Sequence, residues 1–454
     1  MTLSKDKVNS RLWSVYIYLF SICYISVYID YQLSPIFVWP ILLISYYLMI
    51  FKGRVEPVLF LILGSKFITG FAVPTNTSAF IVMNICVNYL PVFILLLVHG
   101  SFVLKKQYIY HYKFSICYFL LALVYSLPYP ELSSQLIIKE YFPFLLFILT
   151  AGIFRKNLDY SLIMRFLRPL FISSILIYLI PWRIEANTIL NTLPLLGRVP
   201  TQISIDFLTL DVFRNGGFLW DTRIMGSISY VFIYIALVKE KSNLNVGIGL
   251  IILFSTLSRG SIAVGIMLLL VYLFLQIIKG KFIKPTLVTC TLLSVLILAV
   301  KFDVVKIQDG YLDSFSIFSE KNAFSQREGF RKYSLDSFYD NPLGSGVGSL
   351  KGVGPSREIP VEGGTFNTVT DAFLFSKLGE MGILGFILFI LAIGEIIICR
   401  SVYSLALFLG LLIQLIGTDL PDFKQFYFVF LVLISSRNLF DNKKYIGSLS
   451  FEKN

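Results

Sequence analysis

Long apolar segments separated by short polar connections follow one another along almost the whole chain. Each segment is long enough to cross a bilayer as a helix, and backbone groups in hydrocarbon must form their hydrogen bonds within such a segment. We therefore predict an all-α integral membrane protein, a polytopic helical bundle of about 12 to 14 transmembrane helices. The predicted helices cover residues 12–29, 35–51, 57–73, 78–98, 114–128, 136–154, 163–181, 219–238, 244–257, 261–278, 285–302, 370–398, 402–418 and 424–437.

Lysine and arginine residues recur in every second short connection, and this pattern predicts the orientation. A basic N-terminal stretch precedes the first apolar segment and no small-residue cleavage site follows it, so this segment is predicted to be a retained helix. Counted from a cytoplasmic N-terminus, nearly all the basic connections fall on the cytoplasmic side, as the positive-inside rule requires. They contain Lys52 and Arg54, Lys105 and Lys106, Arg155 and Lys156, Lys239 and Lys241, and Lys279, Lys281 and Lys284, with Lys443 and Lys444 after the last helix. Both termini are expected in the cytoplasm.

Two long connections interrupt this pattern, and both are predicted to lie on the outer, periplasmic side. The predicted regions are the N-terminal transmembrane helices (1–181), a periplasmic loop (182–218), the central transmembrane helices with a Ser-Arg-Gly turn (219–303), a large periplasmic loop (304–369), the C-terminal transmembrane helices (370–437) and a cytoplasmic tail (438–454). Because loops held by a rigid scaffold often carry function, the functional site is expected on the two long loops.

The composition agrees with a membrane protein and disfavours several functional classes. Hydrophobic residues make up 56% of the chain and charged residues 15%, while the formal net charge is +12. The orientation of the helices accounts for this positive charge, so nucleic-acid binding is not expected. The chain has no Asp-x-Asp pair, and its five cysteines lack metal-ligand spacing. A metal-dependent transferase that uses nucleotide sugars is therefore disfavoured, and neither a metal nor another cofactor is expected.

Arginine residues on the predicted outer side break the charge rule that the rest of the chain follows. Arg214, Arg327 and Arg331 lie in or at the ends of the two long loops, and Arg223 and Arg259 lie at the outer ends of helices. A guanidinium group donates paired hydrogen bonds to phosphate, so these residues are candidates for binding an anionic ligand. Contacts with solvent or lipid headgroups are the alternative explanation, and both interpretations stand at this point.

The second long loop is predicted to contain a helix followed by a glycine-rich segment. Ser325 and Glu328 have the spacing of a capping box and a later Asn-Pro pair ends the helix, so Arg327 and Arg331 fall on one helical face. The segment PLGSGVGSL comes next. It favours a flexible connector over a loop whose amides bind phosphate, because no Lys-Ser or Lys-Thr pair of a nucleotide-binding loop follows it.

Charged residues near the start of the helix predicted at 370–398 allow two interpretations. Asp371 suits a capping position at a helix N-terminus, and it also suits a catalytic carboxylate. Lys377 and Glu380 are three residues apart, so we expect their charges to neutralise one another within the helix.

Four segments of the chain carry a resemblance to a known family. They are RNGGFLWDTRIMGSISY, FSTLSRGSIAVG, SQREGFRKYSLDSFYDNPLGSGVGSL and TVTDAFLFSKLGEMGILGF, which extend from residue 214 to about residue 390. In this order and spacing they resemble the bacterial O-antigen polymerase and ligase superfamily.

The resemblance implies a GT-C-like fold and a metal-independent glycosyltransferase that acts at the periplasmic face of the bacterial inner membrane. The implied partners are oligosaccharides linked to undecaprenyl diphosphate, the lipid bilayer and a chain-length regulator. The matching motifs assign binding of the diphosphate to Arg214, Arg223, Arg259, Arg327 and Arg331, and catalysis to Asp371 and Arg259.

One position distinguishes the two activities of this superfamily. Ligases of this kind show a His-Asn pair where this chain has Thr370-Asp371. The resemblance therefore favours an O-antigen polymerase, which transfers the growing glycan from undecaprenyl diphosphate to a lipid-linked repeat unit. An O-antigen ligase is the first alternative. A flippase or transporter for lipid-linked oligosaccharides is the second, but it predicts functional charges at mid-membrane and an internal repeat, whereas most charge here lies at the outer surface and no convincing repeat is present.

Overall fold

The computed structural model of the protein describes most of the predicted membrane helices and parts of the two long loops. The described residues are 5–29, 34–69, 82–100, 112–127, 150, 153–154, 158–179, 201–205, 208–212, 217–219, 222–256, 258–278, 306–307, 323–347, 349–350, 359–361, 364–366, 373–396 and 402–417. The predicted helices 136–154, 285–302 and 424–437 fall wholly or largely outside these residues, and so does the predicted tail.

Helices make up most of the described structure, in the order that the apolar pattern predicts. They are α1 (Lys5–Ile29), α2 (Ser34–Lys52), α3 (Glu56–Thr69), α4 (Leu90–Val98), α5 (Lys113–Ser126), α6 (Tyr160–Leu179), α7 (Thr222–Ile235), α8 (Asn243–Ser255), α9 (Arg259–Ile278), α10 (Ala323–Asp340), α11 (Phe373–Ile396) and α12 (Val402–Gly417). A π-helical turn precedes α4, and another extends α7 to Glu240. Each predicted span that the described residues cover contains one of these helices.

Three segments among the described residues are long and apolar enough to cross a membrane: Tyr160–Ile177, Gly260–Ile278 and Leu374–Ala392. Other apolar helices are shorter, among them Ile36–Lys52 and Lys113–Ser126. The structure supports a helical integral membrane protein. The total of about 12 to 14 spans and the GT-C-like arrangement stay predictions.

Aromatic side chains form much of the core between the N-terminal helices. Phe60 of α3 and Phe166 of α6 stack with their ring centroids 3.8 Å apart, and Phe20 of α1 meets Phe166 edge-on at 5.0 Å. Gly64 allows the Phe20 ring to approach α3, since a Cβ at this glycine would lie 2.7 Å from the ring. Aromatic pairs of this geometry contribute about 0.5–1.5 kcal/mol each beyond their buried area, so they hold α1, α3 and α6 together.

Charged residues that the sequence places on the cytoplasmic side meet at one end of the bundle. Arg54 forms a salt bridge of 3.1 Å with the buried Glu56, whose carboxylate also accepts the backbone N–H of Asp159. Lys239 lies over the Tyr160 ring, 4.5 Å from its centroid. Burial lowers the pKa of Lys239, while nearby carboxylates oppose the shift. The ends of α2, α6 and α7 that the charge pattern assigns to one side of the membrane therefore lie together.

Short strands connect the two long loops, and the sequence pattern does not predict them. Strand β1 (Thr201–Ile205) pairs antiparallel with β2 (Leu208–Val212) and also with β3 (Lys306–Ile307). A separate hairpin joins β4 (Ile359–Val361) to β5 (Gly364–Phe366). Because β3 belongs to the second loop and β1 to the first, the two loops share one small sheet.

The helix predicted in the second loop is confirmed, but its predicted start is wrong. α10 ends at Asp340, directly before the Asn-Pro pair that predicts its end. It begins at Ala323, so Ser325 lies inside the helix and is not its N-cap. Arg327 and Arg331 are four residues apart within α10 and therefore share one face.

α11 is interrupted at Gly382, and the glycine-rich segment after α10 fills the interruption. Gly382 has φ 65° and ψ −169°, a conformation that residues with a Cβ rarely adopt. The N–H of Ile383 donates to the carbonyl of Pro342, 3.1 Å away and outside its own helix. A Cβ at Gly382 would lie 2.3 Å from the carbonyl carbon of Leu343. The two backbones are therefore in direct contact, and only glycine fits between them.

A Gly382→Ala substitution is expected to destabilise the protein by about 2–4 kcal/mol, because the added methyl group is strained at positive φ and collides with the neighbouring backbone. Gly394→Ala, in the same helix, is the matched control, since a Cβ there meets no atom within 4 Å. The control should unfold at the wild-type temperature or slightly above it. Thermal unfolding of the detergent-purified proteins, followed by tryptophan fluorescence, measures both, and equal melting temperatures for the two variants would contradict the prediction.

Candidate functional site

Four helix ends converge on the side of the bundle that the charge pattern predicts to face the periplasm. They are the first turns of α7 and α9 and the last turns of α8 and α12. α7 begins at Thr222 and α9 at Arg259. Two of the arginines singled out in the sequence, Arg223 and Arg259, are therefore in the first turns of neighbouring helices.

Gln414 of α12 lies at the centre of a buried hydrogen-bond network between these helix ends. Its side-chain amide donates to the hydroxyl groups of Ser227 and Ser261, each over 2.8 Å. Its side-chain carbonyl accepts a hydrogen bond of 2.8 Å from the hydroxyl of Tyr230. The hydroxyl of Ser258 is 3.0 Å from that of Ser261, and all five side chains are buried. One glutamine thus joins α12 to both α7 and α9.

The donors and acceptors of this network have one consistent direction. A glutamine amide carries two N–H groups, so Ser227 and Ser261 both accept from Gln414, and each serine keeps its own proton to donate. Both hydroxyls donate to the same acceptor, the backbone carbonyl of Arg223, over 2.8 Å from Ser227 and 3.2 Å from Ser261. Hydrogen bonds therefore connect Gln414 to the backbone carbonyl of Arg223 through Ser227 on α7 and Ser261 on α9.

Gly226 allows α7 and α9 to approach one another beside the network. A Cβ at this position would lie 2.5 Å from both the Cβ and the Oγ of Ser261 and 3.3 Å from the hydroxyl oxygen of Thr256. A real Cβ essentially never makes contacts of 2.5 Å, so no larger residue fits here unless Ser261 moves. The glycine therefore sets the spacing between the two helix ends that carry Arg223 and Arg259.

The electrostatics of this end favour an anion. The backbone N–H groups of a first helical turn have no acceptor within their own helix, and the aligned peptide dipoles place positive potential there. α7 and α9 both present this end, and each has an arginine in its first turn. Helix N-termini of this kind bind phosphate groups readily. The last turns of α8 and α12 bring carbonyl ends of opposite sign to the same place, so the preference of this end for an anion comes from the two arginines and not from the helix dipoles.

The structure locates the residues predicted for the site to different extents. Arg223 is half-buried, and the hydrogen bond from Ser261 to its carbonyl brings it close to the backbone of Arg259. The backbones of Arg327 and Arg331 lie on α10, which packs against α11. Arg214, Asp371 and the side chains of Arg259, Arg327 and Arg331 lie outside the described residues.

The glycine-rich segment is a docked structural element, so the expectation of a flexible connector is wrong. The N–H groups of Gly344, Ser345, Gly346 and Val347 donate to the backbone carbonyls of Asn341, Gly379, Glu380 and Tyr125, respectively, over 2.8–3.1 Å. The hydroxyl of Ser345 donates to the Gly379 carbonyl as well. Since these four amides have acceptors within the protein, they do not form a cradle for phosphate.

Lys377 and Glu380 form a buried ion pair, as their spacing predicts. Lys377 Nζ is 3.1 Å from Glu380 Oε2, and the two side chains are 2% and 0% exposed. The pair lies in α11, directly before the interruption at Gly382. A charge buried in an apolar helix bundle is costly unless it is compensated, so each residue makes the other tolerable in this position.

Sequence reasoning missed the network around Gln414. The sequence does contain an indication of this network, because Gln414 is the one polar side chain in the run LALFLGLLIQLIG. Ser227 and Tyr230 likewise lie within the apolar helix α7. However, serine hydroxyls in helices usually bond to the backbone of their own turn, so the sequence gives no sign that several of them share one partner.

Comparison with known proteins adds one finding on this region. The family model described as O-antigen ligase matches residues 244–390. The match includes α8, α9, α10 and most of α11, together with Arg259, Arg327, Arg331 and Asp371. It begins after Arg214 and Arg223 and ends before Gln414. No curated protein matches the chain.

A Glu380→Gln substitution is expected to destabilise the protein by about 3–5 kcal/mol, because it leaves the charge of Lys377 buried without its partner. The double variant Lys377→Met/Glu380→Gln removes both charges, so it should recover most of this loss. Thermal unfolding in detergent compares the two with wild type. If the double variant is no more stable than Glu380→Gln alone, the ion pair does not explain why these residues are tolerated.

Proposed function

We propose that this chain, which residues 244–390 place in the O-antigen polymerase and ligase superfamily, is an O-antigen polymerase. In this proposal it transfers the growing glycan from undecaprenyl diphosphate to a lipid-linked repeat unit. The site faces the periplasm, and the protein lies in the bacterial inner membrane with both termini in the cytoplasm. The observation that carries the proposal is the convergence of Arg223 and Arg259 in the first turns of two neighbouring helices.

The proposed reaction is a direct glycosyl transfer. A hydroxyl oxygen of the acceptor sugar attacks the anomeric carbon of the donor, and the bond between that carbon and the phosphate oxygen breaks. The electron pair of the broken bond leaves with undecaprenyl diphosphate. Negative charge therefore grows on the departing diphosphate, and fixed guanidinium groups stabilise that charge without a metal ion.

The proposed binding roles come from the motifs that contain the arginines, and the helix positions of Arg223 and Arg259 support them. Arg223 and Arg259 hold the diphosphate at the outer ends of α7 and α9, next to the helix N-termini. Arg327 and Arg331, which share one face of α10, contribute from the second loop, and Arg214 contributes from the first. The pairing of β1 with β3 supports a joint site, because it ties the two loops together.

Asp371 is the proposed base of the reaction. It accepts the proton of the attacking hydroxyl, a role for which a carboxylate near the reacting oxygen is suited. It stands in this chain where ligases of the superfamily have the asparagine of a His-Asn pair, and this difference favours the polymerase. A separate chain-length regulator is the proposed protein partner.

An O-antigen ligase is the second candidate, since the matching family model carries that description. The two activities use the same donor and differ in the acceptor. A polymerase transfers the glycan to another lipid-linked repeat unit, whereas a ligase transfers it to the lipid A core.

Deletion of the gene is expected to leave single repeat units on lipopolysaccharide in place of a ladder, because chain extension is lost while ligation continues. Gel electrophoresis of lipopolysaccharide from the deletion strain, with and without the gene restored, measures this. A ligase predicts a core without O-antigen while long polymer stays on the lipid carrier. A flippase predicts a core without O-antigen and also no long polymer on the lipid carrier. Either of the last two results would overturn the polymerase.

Arg223→Ala and Arg259→Ala, expressed at wild-type levels in the deletion strain, should each reduce polymer formation by about 10²-fold or more, as for removal of a group that stabilises a developing negative charge. Arg165→Ala is the matched control, because Arg165 is an exposed arginine on α6, near the end of the bundle predicted to be cytoplasmic. The control should restore the full ladder. Full ladders from both Arg223→Ala and Arg259→Ala would rule out the proposed binding of the diphosphate.

A further inference from the structure

The buried side chain of Gln414 has a use beyond helix packing. It is 1% exposed, it belongs to α12, and it lies outside the segment that matches the family model. Three of its hydrogen bonds go to side chains on α7 and α9, the helices that carry Arg223 and Arg259 in their first turns. Any buried glutamine needs hydrogen-bond partners, and here they connect α12 to the two helices that carry the arginines.

The network has one common end point near the predicted periplasmic face. Ser227 reaches the carbonyl of Arg223 from the same helix, and Ser261 reaches it from α9. Ser261 is two residues after Arg259, so a shift of Ser261 moves the first turn of α9. The relative position of the two arginine backbones therefore depends on both serines.

Gln414 controls both serines at once. Its two N–H groups occupy one acceptor site on each hydroxyl, and both hydroxyls donate to the Arg223 carbonyl, an arrangement in which Ser258 donates to Ser261. Gly226 brings the backbone of α7 into direct contact with Ser261, so the hydrogen bonds of this serine and the closest approach of the two helices lie at the same level. Buried polar networks of this kind specify a single geometry when every member has a partner.

We infer that Gln414 is a positioning residue for the diphosphate site, which holds the backbone of Arg223 in register with that of Arg259 through Ser227 and Ser261. The inference rests on the proposed function, in which these two arginines bind the diphosphate. Tyr230 supports the same geometry by donating to the Gln414 carbonyl, so it orients the amide toward the serines. Gln414 itself does not contact the ligand.

Binding of farnesyl diphosphate to the purified full chain in detergent, measured by isothermal titration calorimetry, tests this. Gln414→Leu keeps much of the side-chain volume but removes all three hydrogen bonds, and it should weaken binding about tenfold. Gln414 acts through Arg223, so in an Arg223→Ala background the same substitution should change binding less than about twofold. A merely structural role predicts that Gln414→Leu lowers the affinity for farnesyl diphosphate equally in the wild type and in Arg223→Ala. That result would overturn the inference.

A milder pair of variants covers the case in which Gln414→Leu does not fold. Tyr230→Phe removes only the hydroxyl that orients the amide, and it should weaken farnesyl diphosphate binding about threefold. Tyr16→Phe is the matched control, because Tyr16 is also fully buried and its hydroxyl is 2.5 Å from a serine, Ser45, within the N-terminal helices. The control should bind as wild type does. If Tyr230→Phe also binds as wild type does, Gln414 has no positioning role.

The same titrations separate two kinds of failure. If Arg223→Ala weakens binding while Gln414→Leu or Tyr230→Phe does not, the positioning role fails and the proposed diphosphate site stands. If Arg223→Ala and Arg259→Ala both leave binding unchanged, the proposed function itself loses its binding site, and the positioning role fails with it.

Discussion

A polar side chain inside an apolar helix bundle has no water to bond with, so its hydrogen bonds must come from other protein groups. Gln414 meets this requirement with partners on two other helices, α7 and α9. Because these partners belong to two different helices, the hydrogen bonds resist a shift or rotation of α12 against either of them. In the inferred role of Gln414, this constraint helps to fix the helix ends that carry Arg223 and Arg259.

Close backbone contacts extend the constraint to the second loop. α10 packs on α11, α11 contacts α12, and α12 packs on α9. At the first of these contacts Gly382 interrupts α11 and admits the glycine-rich segment that follows α10. The helix that carries Arg327 and Arg331 is thus attached to the membrane helices by backbone hydrogen bonds, which hold position better than long side chains do. Through α11 and α12, the same helix is connected to α9, which carries Arg259.

The sequence predicted the helices well because the rule behind them is local. A segment in hydrocarbon must bond its own backbone, so apolar length alone locates α2 and α9 to within two residues, while α1 begins seven residues before its apolar segment. The charge pattern likewise grouped Arg54 with Lys239, whose helix ends meet in the structure. Helix positions and orientation can therefore be predicted from each segment and its flanking charges alone.

Features that depend on a distant partner were not predictable in this way. The glycines of PLGSGVGSL suggested flexibility, yet the amides of Ser345 and Gly346 donate to carbonyls of α11 and the amide of Val347 donates to a carbonyl of α5, which the segment itself does not reveal. Ser325 and Glu328 have capping spacing, but α10 begins two residues earlier. Gln414 was overlooked because one polar residue in a membrane helix has many explanations until its neighbours are known. Tertiary contact decides each of these cases.

An arginine is a demanding choice for a preorganised site, because its side chain carries about 2 kcal/mol of rotamer entropy that ordering removes. If the backbone that carries the arginine were also mobile, binding of the anion would have to order both the backbone and the side chain. A backbone fixed during folding leaves only the side chain to be ordered. Electrostatic stabilisation of a leaving group is strongest when the charges need no rearrangement at the moment of reaction. The buried network below Arg223 therefore stabilises the fold and, in the proposed function, lowers the cost of binding the diphosphate.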